Sequence, residues 1–294
     1  MNDGEDGVYV RADGEYLGQG DRFRLEQGFF HIPIEWKTSG AFTIGRINHP
    51  IGYEGVDPTD PLDLAPMIFA SHSLLFERGR PSDVDGLGWT LDIDFLKAGA
   101  FLDVDEDGLR SWGWHAQVVG ADVIKQLRLK ILSYLKFGAG GAYNLQDDPA
   151  GSTRDNLFSA YLSVHPTDRF NIVLEVDRGS DEVVRGRSDT WWGVNTIARW
   201  EVNARLRVAG RWEYVRDEKG LLGLNDTVSA LSVAPTVRLL AGPTGEFYKV
   251  LEGRMEWRRE TLQSTAGFLN GVGAVTDTRN LLTVQLMLST DRLF

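Results

Sequence analysis

The sequence predicts an all-β chain folded as one closed antiparallel transmembrane β-barrel spanning residues 1–294, with about 16 strands and a range of roughly 12 to 18. Three observations lead there. Apolar residues recur with a period of two in segment after segment, the opposite parity of several segments is almost wholly ionised, and most tryptophans stand on the apolar parity. The pattern is clearest in LGWTLDIDF, where Leu87, Trp89, Leu91, Ile93 and Phe95 share one face and Gly88, Thr90, Asp92 and Asp94 the other. One such strand fits a soluble sheet packed on a core equally well, so the weight falls on recurrence.

Composition narrows the alternatives. The chain holds 33 Gly, 9 Trp, 8 Tyr and 14 Phe within only 42% hydrophobic residues, and it lacks the apolar helical stripes or buried Val/Ile runs of a soluble domain this long. A net charge of −11 excludes a general nucleic-acid binder, whose footprint is basic. With no cysteine there is no disulfide, thiol catalyst or Cys-ligated metal. No apolar run approaches the roughly 20 residues of a transmembrane helix. The opening MNDGEDGVYV has neither a basic n-region nor an apolar h-region, so an exported protein would carry numbering that begins after its leader.

Taken in order, Val8–Arg11 is a short alternating piece, either a frayed first strand or a tail. Arg22–Trp36 has apolar residues on both parities (Phe23 and Leu25, then Phe30, Ile32, Ile34 and Trp36), which predicts a strand interrupted near Gly28 or two short strands, with Pro33 against either. Ala41–Ile47 reads as a strand. Residues 49–80 then lose periodicity and carry Pro50, Pro58, Pro61 and Pro66. So long a connection is expected to fold into or over the lumen as a constriction, with a helical turn or two in Asp60–Ala70; a mobile surface loop fits it as well.

From Gly86 the alternation is regular. Strands are predicted at Leu87–Phe95, Leu96–Val104, Trp112–Val118, Leu127–Ile131, Phe137–Leu145, Phe158–Val164 and Phe170–Val176. Others follow at Trp192–Trp200, Leu206–Tyr214, Leu251–Arg258 and Leu282–Leu288. Asp105-Glu106-Asp107-Gly108, His165-Pro166-Thr167-Asp168 and Asp217-Glu218-Lys219-Gly220 supply turns. Spans of about ten residues with short turns and longer polar loops are the pattern of a membrane barrel.

Charge and aromatic placement favour lipid over a dry core. The polar parities of Arg205–Glu213 and Glu252–Arg258 are nearly all ionised. Trp89, Trp112, Trp114, Trp192, Trp200, Trp212 and Trp257, together with Tyr214, stand on the apolar parity and are the expected membrane-interface aromatics. Hydrocarbon solvates no backbone amide, so a spanning sheet closes on itself and its ionised face borders water.

Arg205, Arg207 and Arg211 with Arg128 and Lys130 are therefore expected to form a basic wall lining the pore. Asp92, Asp94, Glu175 and Asp177 would face it, while Glu252, Arg254, Glu256 and Arg258 pair among themselves; Glu213 and His115 complete the expected lining. The competing arrangement is mutual neutralisation of Arg and Glu across strands.

Several stretches resemble a known family. Gly45-Arg46-Ile47 with Pro50-Ile51-Gly52-Tyr53-Glu54, Ser71-His72-Ser73-Leu74-Leu75-Phe76 with Gly79 and Pro81, and the strand opening at Gly86 look like the front half of the OmpL-like putative β-barrel porin family of Gram-negative outer membranes. Arg211-Trp212-Glu213-Tyr214 and Leu251-Glu252-Gly253-Arg254-Met255-Glu256-Trp257 are similar to its later strands. The resemblance implies an outer-membrane channel without a cofactor, in contact with outer-membrane lipid and lipopolysaccharide. Phe294 after Val284, Leu286 and Leu288 resembles the signal by which barrel-assembly machinery recognises a last strand, although Thr290 and Arg292 depart from it.

Catalytic constellations are missing from the sequence. His31, His49, His72, His115 and His165 are scattered, and no GxSxG or HExxH spacing accompanies them. Asp103–Gly108 lacks the bidentate Glu of a calcium loop, and Gly138–Gly141 precedes no helix that could cradle phosphate. The expectation is a passive channel for small hydrophilic solutes or an exported polymer. Its rivals are a non-conducting barrel anchoring or partnering a larger envelope complex, and a soluble β-sandwich binding protein.

Overall fold

The computed structural model describes residues 9–17, 22–35, 39–48, 51–53, 69, 71, 73–75, 83–93, 96–105, 108–119, 134–145, 155–184, 187–217, 226–241, 250–263, 268–269, 275–276 and 278–289. Its strands are β1 (Tyr9–Leu17), β2 (Arg22–Glu35), β3 (Ser39–Asn48), β4 (Asp83–Ile93), β5 (Leu96–Asp105), β6 (Gly108–Val119), β7 (Tyr134–Leu145) and β8 (Asp155–Thr167). They continue as β9 (Phe170–Val184), β10 (Arg187–Glu201), β11 (Leu206–Asp217), β12 (Asp226–Ala241), β13 (Val250–Gln263), β14 (Phe268–Leu269), β15 (Val275–Thr276) and β16 (Thr278–Ser289).

Fourteen of these form one sheet in which each strand pairs antiparallel with its sequence neighbours, and β14–β15 is a small hairpin inside the connection from β13 to β16. Among the described residues no ladder joins β1 to β16. The sheet's fourteen strands fall within the expected range of roughly 12 to 18, below its central value of about 16. The reason is strand length: β9, β10 and β12 run to 15, 15 and 16 residues, longer than the ten-residue spans assumed.

Which face is buried decides what kind of sheet this is. On β9, Ile172, Leu174 and Val176 are 38%, 46% and 42% exposed, whereas Glu175 and Asp177 are 0% exposed. On β13 the same inversion recurs, with Met255 and Trp257 exposed and Arg254, Glu256, Arg258 and Glu260 buried. A soluble sheet does the opposite, since isolated charges are the groups water releases last. The sheet therefore has an apolar outer face and an enclosed polar one.

Two local features refine the sequence expectation. β2 is one strand, and its change of parity has a mechanical cause: Gly14 pairs with Leu25 and Asp13 with Gln27, so Glu26 is an extra residue that flips every side chain after it. β12 lies where the sequence named no strand, because its inward residues Ala230, Ser232, Ala234 and Thr236 are small and Pro235 breaks the pattern. Pro235 sits on the ladder with Val208 of β11 and is skipped in the pairing with β13. Leu127–Ile131, Asp94, Phe95 and Phe294 lie outside the described residues, as does most of Asp60–Ala70.

The described parts of the 49–80 connection lie on the buried face. Ile51, Leu74 and Leu75 cluster with Phe29, Phe101, Trp191 and Val215; Tyr53 and Phe69 cluster with Tyr161, Val173, Ile197 and Ala209. Leu74 and Leu75 are helical. In the glycine-rich β7, Gly138 leaves room for the Tyr161 ring, which occupies the space a Cβ would take, and Tyr161 Oη then donates to Gln117 Oε1 at 2.8 Å.

An apolar face against lipid makes a strong prediction about charge. Leu174→Arg on β9 should destabilise the protein folded in lipid vesicles by about 2–4 kcal/mol in denaturant titration. A soluble sheet with the same half-exposed leucine would change by about 0.5 kcal/mol or less.

Candidate functional site

The buried face carries a chain of alternating charges built by β11, β13 and β16. Residues 207, 209, 211 and 213 share one face of β11, and residues 254, 256, 258 and 260 one face of β13, with the small residues of β12 between them. Long side chains therefore meet over β12. Arg211 Nη2 lies 3.2 Å from Glu256 Oε1 and its Nε 3.1 Å from Glu213 Oε2. Arg258 Nη2 lies 3.3 Å from that same Glu213 oxygen, and its Nε 2.8 Å from Glu260 Oε1. Arg279 of β16 closes the series on Glu260. At this burial an unpaired guanidinium or carboxylate would cost several kcal/mol, so each ion needs the next.

The inward segment is bound to this chain through its backbone. Ser71 N donates to Glu256 Oε2 at 2.7 Å and Ser71 Oγ donates to Glu256 Oε1 at 2.9 Å. The same hydroxyl accepts from Arg211 Nη2 and Arg258 Nη1, each at 3.2 Å, and Ser71 O accepts from Arg211 Nη1 at 3.1 Å. Arg254 Nη1 donates to Phe69 O at 2.7 Å, Leu74 N donates to Glu213 Oε1, and the Arg211 guanidinium lies 4.3 Å from the centroid of the Phe69 ring. Farther along, Tyr53 N donates to Glu175 Oε1 at 2.6 Å while Asn195 Nδ2 holds the other carboxylate oxygen at 3.3 Å. A loop that offers unpaired amides thus meets carboxylates that need donors.

The residues singled out in the sequence fall into separate groups. Glu175, Asp177, Arg211, Glu213, Arg254, Glu256 and Arg258 are buried on the inner face; Arg207, Glu252 and His115 share that face half-buried; Arg205 is exposed at the β10–β11 turn. Asp94, Arg128 and Lys130 lie outside the described residues, as does the side chain of Asp92 on β4. The single basic wall is corrected: Arg211 is held between Glu213 and Glu256, while Arg207 lies beside Glu201 and Glu252 nearer the turn. Nor do the β13 charges pair mainly among themselves. Glu252 meets Arg207 and Arg238, Glu256 meets Arg211, and Arg258 meets Glu213, with Arg258–Glu260 along the strand. Same-face neighbours on one strand are about 7 Å apart, farther than residues facing each other across a pair.

Sequence reasoning missed Ser71, Phe69, Leu74 and Tyr53, which follow no period, and Asn195, Glu260 and Arg279. Glu260 was within reach, since it continues the parity of Glu252 to Arg258. Among the aromatics, Trp89, Trp112, Trp192, Trp200, Trp212 and Trp257 are exposed on the apolar face, and Trp114 and Tyr214 half-exposed. Trp112 stacks on Tyr143 with centroids 4.5 Å apart, and Trp192 lies 5.2 Å from Tyr214. Trp200 stands near a strand end, but Trp89, Trp212 and Trp257 stand near the middles of β4, β11 and β13.

Comparison with known proteins agrees with this geometry. Residues 3–289 match the family described as putative β-barrel porin-2, OmpL-like. No curated protein matches the chain. Among solved structures, in-vitro folded OmpT, an outer membrane protein of Vibrio cholerae, superposes with a TM-score of 0.59 at 10% identity, covering 95% of this chain and 84% of that one. Outer-membrane expressed OmpT of Vibrio cholerae gives 0.53 at 12% identity, covering 95% and 82%. At such identity the likeness concerns the fold.

Breaking the charge chain at its centre should be costly. Arg258→Ala removes one of the two cations beside each of Glu213 and Glu260 and is expected to lose about 3 kcal/mol in urea unfolding from micelles, against under about 1 kcal/mol for Arg46→Ala, whose ion pair with Asp85 is exposed.

Proposed function

The chain belongs to the OmpL-like putative β-barrel porin family, and on that premise we propose that it is a passive outer-membrane channel for small hydrophilic solutes, narrowed from within by residues 69–75. The observation that carries this reading is the inversion of the sheet: ionised residues of β9, β11 and β13 are enclosed while their apolar neighbours are exposed. An enclosed charged face is stable where its ions pair with one another or border water, and a sheet whose outer face meets lipid must close, which would bring β1 against β16. The lumen then works by size and field. Arg211, Arg254, Arg258, Glu213 and Glu256 all reach the inward segment from the β11–β13 wall, where cation and anion alternate, and this polar wall sets the local field beside the segment.

Partners follow from the same reading. Outer-membrane lipid and lipopolysaccharide would cover the apolar face, and barrel-assembly machinery would engage the last strand through Phe294.

A second reading has its own support. Ile51, Phe69, Leu74 and Leu75 are each 3% exposed or less, so the interior is substantially filled. A filled barrel suits an anchor or a partner of a larger envelope assembly, with export of a polymer requiring the segment to move.

Planar-bilayer recording separates these. The channel reading predicts discrete conductance steps at the nanosiemens scale, rising when residues 66–78 are deleted; insertion without conductance, before and after the deletion, would favour the anchor. Arg207→Glu should shift the reversal potential under a salt gradient toward cation selectivity, and an unchanged potential would remove Arg207 from the conducting path.

A further inference from the structure

A second charged cluster lies at the turn joining β10 to β11, at the edge of the interior network, which it meets at Arg254. It surrounds a cavity of about 80 Å³ lined by Arg205, Arg207, Arg238, Thr236, Glu201 and Glu252. Arg199 reaches Glu201 at 2.7 Å, and Arg254 flanks Thr236 from β13 as Arg207 does from β11. Five arginines thus gather around two glutamates, in a chain whose net charge is −11. The neighbouring β8–β9 turn adds one exposed charge of each sign, Asp168 and Arg169.

The glutamates do not satisfy these cations. Arg207 stands 3.8 Å from both Glu201 and Glu252, and Arg238 stands 3.6 Å from Glu252, distances beyond hydrogen-bond length. The Nε groups of Arg207 and Arg238 are buried with no hydrogen-bond acceptor among the described residues. Buried donors without an acceptor are costly, and so is an excess of like charge. Both costs fall when an anion enters.

The cavity is also held open by its frame. Asn203 Oδ1 accepts from Arg205 N at 2.8 Å and from Leu206 N at 3.0 Å, fixing the turn. Glu201 N donates to Arg169 O and Arg238 N donates to Arg205 O, each at 2.8 Å, which ties the turn to both neighbouring strands. A water needs about 10–15 Å³ by this measure, so the space takes a tetrahedral group rather than a single water.

We propose that this cavity is a binding site for a small oxyanion of the phosphate type, held by the Arg207 and Arg238 guanidinium groups and by Arg205 from the turn. Planar guanidinium donors match such oxygens in pairs, which chloride cannot use. The site stands whether or not the barrel conducts, so its test is one of binding alone.

The full chain, folded in neutral-detergent micelles and checked by heat-modifiable gel mobility, is titrated with inorganic phosphate at constant ionic strength in chloride, and binding is followed by phosphorus NMR line broadening. Saturable binding is expected, weakened about tenfold or more by Arg207→Gln and by Arg238→Gln, which is the loss of one charge-assisted hydrogen-bond pair. Arg46→Gln, at the opposite end of the strands and paired with Asp85, should leave it unchanged. Short-chain phosphatidic acid in the micelle should fail to displace phosphate, because Arg207 belongs to the enclosed face. Folded protein without saturable binding, full affinity in Arg207→Gln, or displacement by the lipid would each overturn the proposal.

Discussion

Burial of charge is the constraint that organises this protein. The series Glu256, Arg211, Glu213, Arg258 and Glu260 has almost no exposed surface and ends on the partly exposed Arg279, and it is tolerable only because cation and anion alternate across three strands. Such alternation fixes strand register more sharply than backbone hydrogen bonds do. A slip of one residue on β11 or β13 would turn arginines and glutamates toward the apolar face and bring Trp212 and Trp257 inside. The small residues of β12 are part of the same solution, since larger side chains at Ala230, Ser232 and Ala234 would keep the β11 and β13 charges apart.

The inward segment depends on those charges and in turn completes them. Its backbone amides at Tyr53, Ser71 and Leu74 are donors removed from solvent, and each finds a carboxylate of the sheet. Its carbonyls at Phe69 and Ser71 accept from arginines. Irregular chain can sit inside a barrel on these terms because the sheet offers partners to the backbone groups at Tyr53, Phe69, Ser71 and Leu74. The apolar side chains of the segment, Ile51, Phe69 and Leu75, fill the gaps between them.

Much of the fold was legible in the sequence because a strand at a lipid–water boundary leaves a two-residue period. Leu87–Ile93, Phe170–Val176 and Leu206–Tyr214 show it, and the structure has strands at each. Legibility failed where the period was interrupted or faint. Glu26 as an extra residue split β2 into two apparent parities, and small inward residues with Pro235 hid β12. The site was half legible: the ionised parity named Arg211, Glu213, Glu256 and Arg258, but nothing in the period reveals that Ser71, 140 positions ahead of Arg211, is bound by three of those four side chains. Pairing between aperiodic loop and periodic strand is a tertiary fact, set by length of chain and shape of the interior.

The account stands on the apolar face meeting acyl chains while the ionised face encloses water. Tryptophan fluorescence of the protein in vesicles, quenched either by bromine carried on the acyl chains or by iodide in the aqueous phase, tests this most directly, since Trp89, Trp212 and Trp257 are exposed near mid-strand. Strong quenching by acyl-chain bromine with little effect of iodide is the predicted result. Emission that responds to iodide and ignores the brominated lipid would contradict it.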